Sequence, residues 1–115
     1  MAFDTLIANA GRLRILTALA VENRQEFVRL RALTCLTDGN LSAHAKRLAS
    51  AGLVGIDKAF RDGKPVTTFW LTDAGRERLT HHARELLAAV EGTPTDNEVT
   101  MPVGAAVAGD EDWVD

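Results

Sequence analysis

The stretch LTDGNLSAHAKRLASAGLV, Leu36 to Val54, constrains the fold more than any other part of the chain. Leu41, Ala45 and Leu48 recur at helical steps, and Gly52 supplies a stop. Thr37 is placed to cap the free amides of the first turn, and Asp38 suits the positive helix end. Leu36 and Leu41 have the spacing of a hydrophobic staple. Yet the helix opens with Gly39 and Asn40, two poor helix formers. A helix that serves packing alone has no use for them. A helix whose first turn must approach another surface closely does.

The same start signal returns at Leu71-Thr72-Asp73. It precedes a second long run, to about Val90, with apolar positions Ala74, Leu79, Ala83, Leu86, Leu87 and Val90. Between the two helices, LVGIDKAF (Leu53 to Phe60) and VTTFWL (Val66 to Leu71) read as strands. Asp62-Gly63 in the connecting RDGKP favours a tight hairpin, and Pro65 would disrupt a central strand. Upstream, Leu6, Ile7, Ala10, Leu13, Leu16, Leu19 and Ala20 predict one amphipathic helix over Ala2 to Val21. ENRQEF breaks that pattern. Phe27, Leu30 and Leu33 then predict a helix of about two turns, closed at Thr34-Cys35.

At 115 residues the chain is expected to form one small domain, mainly α with a small β-hairpin. The order helix, short helix, turn, helix, hairpin, helix is that of a winged helix-turn-helix. Residues 1–90 resemble the compact winged-helix DNA-binding regulators of the MarR/ArsR type. The resemblance is carried by Leu36 to Val54 and by the LTDAGR motif, Leu71 to Arg76. It implies a sequence-specific transcriptional regulator acting as a homodimer on double-stranded DNA, paired through its first and last helices. Two positions depart from the pattern. Ala45 stands where a larger aliphatic residue is usual, and Ala49 where an acid is common.

The chemistry of the third helix points the same way without the resemblance. With Leu41, Ala45 and Leu48 inward, steps of about 100° put Gly39, Ala43, Lys46 and Ser50 on the opposite face. Asn40, Ser42 and Arg47 flank them. Small residues at the helix start admit a groove floor; Asn pairs with adenine, and Lys or Arg with guanine or phosphate. Free amides beside Thr37 can also hold a phosphate. His44 lies at the edge of the buried line, where it can bond backbone or reach a phosphate. In the hairpin, Lys58, Arg61 and Lys64 form a basic wing, and Arg61 and Lys64 are expected to project from its tip toward phosphates or the minor groove. The expected DNA-binding set is therefore Thr37, Gly39, Asn40, Ser42, Ala43, His44, Lys46, Arg47, Lys58, Arg61 and Lys64.

Charge separates the chain in two. All 13 basic residues lie in residues 1–90 with nine of the 16 acids, a net +4; residues 91–115 carry the other seven acids and no base. A basic body fits a polyanion, and the acidic tail is expected to be disordered. GDEDWVD, with Trp113 among acids, reads as a solubilising end, or as a segment that docks a partner or covers the basic face and autoinhibits DNA binding. A winged-helix protein-interaction module is accordingly the alternative function. A small-molecule or protein effector is a further possible partner.

Other classes find little support. No run of about 18 apolar residues predicts a membrane span. The N-terminus lacks a basic leader region, so a cytoplasmic protein is expected. The single Cys35 excludes an intrachain disulfide. It reads as a small buried filler in the turn, where relatives often have Gly, with a redox trigger as the bolder reading. His82 and Glu85 form an HxxE pair, but Phe69 and Leu71 occupy the upstream positions where metal-sensing relatives have ligands. No metal or cofactor is expected, and His81 and His82 read as the polar surface of a dimer helix. No hydrolase, nucleotide-binding or zinc-protease motif suggests an enzyme.

Overall fold

The computed structural model describes residues 4–92. Its elements are α1 (Thr5–Ala8), α2 (Ala10–Val21), β1 (Gln25–Glu26), α3 (Phe27–Thr34), α4 (Asp38–Ser50), β2 (Val54–Arg61), β3 (Lys64–Leu71) and α5 (Asp73–Glu91). Contacts divide the chain at His82, into residues 1–82 and 83–115. In the second unit the described residues are the last turns of α5, where Leu86, Leu87 and Val90 are exposed. The acidic tail expected from Glu91 onward, with Trp113, lies beyond Gly92 outside the described residues.

The single first helix expected over Ala2 to Val21 is two helices. Asn9 is extended, with φ −60° and ψ 130°, and its side chain caps α2 by accepting from the Arg12 amide at 3.1 Å. The apolar period continues across the break, so periodicity alone conceals it. Asp4 caps α1 in the same way, accepting from the Leu6 amide at 3.1 Å. Ile7, Ile15, Leu16 and Leu19 from these helices meet Leu30 of α3, Leu41, Ala45 and Leu48 of α4, and Leu53, Val54, Phe69 and Leu71 around the sheet. Each fully buried Leu or Ile there contributes about 1.5–3 kcal/mol.

The sheet has three antiparallel strands in the order β1-β3-β2. Asp62 and Gly63 make the two-residue turn with φ of 55° and 76°, the positive pair that a type I′ hairpin demands. β3 begins at Lys64 rather than Val66, so Pro65 lies in the middle strand of the sheet. The register explains why it is tolerated. Pro65 faces Phe60, and in a two-residue hairpin this is a non-hydrogen-bonded pair. The side of β3 that lacks the N–H points to where β1, paired only at Thr68 and Phe69, does not reach.

β1 itself lies in the segment where the helical pattern breaks. Its polar side chains replace apolar packing with hydrogen bonds. Gln25 is buried and donates to the carbonyls of Ala18 (3.2 Å) and Glu22 (2.7 Å). Asn23 accepts from the Leu71 amide at 2.8 Å.

The LTDAGR motif now has a structural cause. Thr72 donates from Oγ1 to the Gly52 carbonyl (2.7 Å) and accepts from the Gly75 amide (3.0 Å). Its own amide donates to Leu53 O at 3.2 Å. A Cβ at Gly75 would run into the Leu53 carbonyl, so only glycine lets α5 cross there. His82 on this helix is buried, not a surface residue as expected. Among the described residues no group of three or more His, Cys, Asp or Glu could hold a metal, and no helix is long and apolar enough to cross a membrane.

Candidate nucleic-acid interface

α3 and α4 meet at a three-residue turn. Cys35 closes α3 with φ 60°, the left-handed conformation that glycine adopts most easily, and its amide donates to Arg31 O at 2.9 Å. The thiol is exposed; Cys35 is not the buried filler expected. Thr37 then caps α4, with Oγ1 accepting from the Asn40 amide at 3.1 Å. Asp38 combines its favourable place in the first turn with a 2.7 Å ion pair to Arg31, which clamps α4 to α3. Leu36 is partly buried against the core to which Leu41 belongs, consistent with a staple.

These contacts leave one open face. Leu41, Ala45 and Leu48 are buried, whereas Gly39, Asn40, Ala43, Lys46, Arg47 and Ser50 are all exposed. Thr37 is exposed beside them, and Ser42 is half-buried at the margin. Nothing lies within 4 Å of where a Cβ of Gly39 would be. The glycine therefore has no packing role inside the molecule, although it lowers helix propensity by up to about 1 kcal/mol.

His44 is half-buried and turned toward α2. Its ring lies where a side chain at Gly11 would begin: a Cβ there would be 2.8 Å from the imidazole. Its Nδ1 is 3.4 Å from Nη1 of Arg12. Arg12 was not expected to join this site, because it is 32 residues away in sequence and sits among apolar helix positions.

The wing departs from expectation at one cation. Lys58 and Lys64 are exposed, and neither forms an ion pair among the described residues. Arg61 does not reach outward from the tip. Its guanidinium turns back to β1 and holds both oxygens of Glu26, at 2.8 and 2.7 Å. Each group favours the other's charged form: Arg61 holds the Glu26 carboxyl below its usual range, and Glu26 raises the guanidinium.

A capped helix with an open polar face, held against a shorter helix and followed by a basic hairpin, defines a winged helix-turn-helix. Residues 12–90 match the family model described as a winged helix DNA-binding domain, and the chain belongs to that family. It is 34% identical over 76 residues, 66% of this chain and 83% of the relative, to an uncharacterized protein of Methanocaldococcus jannaschii. A transcriptional regulator homologue from Pyrococcus horikoshii OT3 is similar in structure, with a TM-score of 0.73, 30% identity, and coverage of 77% of this chain and 88% of that one. A MarR family regulator from Silicibacter pomeroyi shares the fold, with a TM-score of 0.55, 24% identity, and coverage of 75% and 59%.

Proposed function

We propose that this protein is a non-catalytic, cytoplasmic transcriptional regulator that binds a pseudo-palindromic operator as a homodimer. The observation that carries the reading is the open face of α4. Gly39, Asn40, Ala43, Lys46 and Arg47 are exposed together and serve no internal packing, while the helix start that bears them is fastened by Thr37, Asp38 and Arg31. Asn40 and Ser42 would read base edges, with Thr37, His44, Lys46 and Arg47 positioning the helix on phosphates. Lys58 and Lys64 would contact the backbone from the wing. The exposed Leu86, Leu87 and Val90 on α5 support a dimer seam. Two such subunits would place their recognition helices in major grooves about 34 Å apart.

An effector site is supported by the groove of about 350 Å³ that Arg14, Thr17, Val21, Gln25, Arg29 and Leu33 help to line. Gln25 is among its lining residues, and its buried Oε1 accepts no hydrogen bond among the described residues.

The reading is falsified if the purified protein shows no preference for any selected sequence over random DNA at about 0.15 M salt. Charge reversal at Lys46 and Arg47 separates the function from that of a protein-docking module. It should abolish DNA binding while a docking partner is still retained.

A further inference from the structure

We propose that Arg12, His44 and Arg47 form a clasp between α2 and α4 that holds a backbone phosphate of bound DNA. The inference rests on the DNA-binding reading and adds a contact from outside the helix-turn-helix and the wing.

Four of the ten arginines among the described residues form an ion pair with an acid. Arg29, Arg31, Arg61 and Arg78 each reach a carboxylate, on Glu22, Asp38, Glu26 and Asp4. Arg12 and Arg47 reach none among the described residues, although the two stand close enough to repel. Arg12 is held below its usual pKa first by partial burial and then by the charge of Arg47. Arg12 is also held firmly. Nε donates to the Leu6 carbonyl, Nη2 to that of Thr5 at 3.4 Å, and Nη1 faces His44 Nδ1 at 3.4 Å. None of these partners is an acid, so the guanidinium is fixed without its charge being cancelled. Gly11 has no side chain, which leaves room for the imidazole to pack against α2. His44 and Arg47 are three residues apart and so share one side of α4.

Two like charges, oriented around an imidazole with no carboxylate partner among the described residues, make a site for an anion of high charge density. A guanidinium binds phosphate oxygens with directed hydrogen bonds. The clasp borders the exposed face of α4, so a phosphate seated in it would set the depth and tilt of that helix in the groove without reading any base.

The test is the salt dependence of binding of the full chain to a selected operator and to random duplex, followed by anisotropy. Failure of the wild type to bind either DNA would overturn the DNA-binding reading itself. If the wild type binds, Arg12→Gln should weaken both complexes by similar factors and flatten the slope of log K against log salt by about 0.9, one phosphate contact. An unchanged slope would overturn the clasp, even if the variant melts earlier, because a purely structural role of Arg12 moves stability and not counterion release. Should Arg12→Gln fail to fold, Asn9→Asp decides. It keeps the oxygen that caps α2, at 3.1 Å from the Arg12 amide, and adds a negative charge beside the site. It should weaken binding at low salt and lose that effect at high salt; unaltered binding would overturn the clasp.

Discussion

Arg61 and Glu26 are 35 residues apart in sequence and joined by two hydrogen bonds in space, so the most prominent cation of the wing is already occupied by β1. Both groups are solvent-exposed, so the pair is weak enough to open when a stronger anion approaches. DNA binding through Arg61 would exchange Glu26 for a phosphate.

Glu26→Gln removes the competing charge and should tighten binding to all sequences. Its salt slope should steepen by about 0.9, a further three- to fourfold loss of affinity between about 50 and 200 mM salt. Arg61→Ala should then cost more affinity in the Glu26→Gln background than in the wild type. Equal losses in the two backgrounds would show that Glu26 does not compete with DNA for Arg61.

Gly39 offers a test in which stability and binding move in opposite directions. A Cβ there meets nothing, and alanine is the better helix former. Gly39→Ala should raise unfolding stability by about 0.5–1 kcal/mol. It should also weaken specific DNA binding, because the added methyl stands on the face proposed to approach the groove. Denaturant unfolding and operator titration of one preparation check both halves.

Gly75 should behave in the opposite way to Gly39. Its absent Cβ makes room for the Leu53 carbonyl, so Gly75→Ala must push α5 away or bend β2. Overpacking of this kind costs about 1–3 kcal/mol. The loss should appear as a lower denaturant midpoint with little change in m-value.

Asp4 ties α1 to α5 through Arg78, at 2.7 and 3.1 Å. The hydrogen bond from Arg78 holds its carboxyl below the usual 3.8. A carboxylate whose pKa is lowered by folding stabilises the native state above its unfolded pKa, and that contribution disappears as pH falls through the folded value. Asp4→Asn keeps an oxygen for the Leu6 amide and removes the charge. It should lower stability at neutral pH by less than about 1 kcal/mol, since the pair is partly exposed. Wild type and variant should converge below pH ~3.8. A gap that persists under acid would assign the effect to the cap rather than the charge.

Much of this fold was legible because its signals are local. Thr37 reaches an amide three residues on, Asp62-Gly63 sets its own turn, and Leu41, Ala45 and Leu48 follow the helix period. From these the hairpin, the open face of α4 and its basic residues could be placed by spacing alone. The break at Asn9 is also local, but the apolar period runs through it and hides it. β1 was missed because two residues carry no period, and its pairing with Phe69 and Thr68 comes from the far side of the sequence.

Only the tertiary structure decided which charges are spent inside the molecule. The sequence assigns no acidic partner to Arg12, Arg31, Arg47 or Arg61. Folding brings Arg31 to Asp38 and Arg61 to Glu26, while Arg12 comes to His44 and Arg47 and pairs with no acid among the described residues. Local sequence determines which segments become helix, turn and strand, because those interactions span a few residues. The sign and strength of the field at the proposed DNA interface depend largely on pairs separated by tens of residues, such as Arg61 with Glu26 and Arg12 with His44, and those pairs form only when the core has closed.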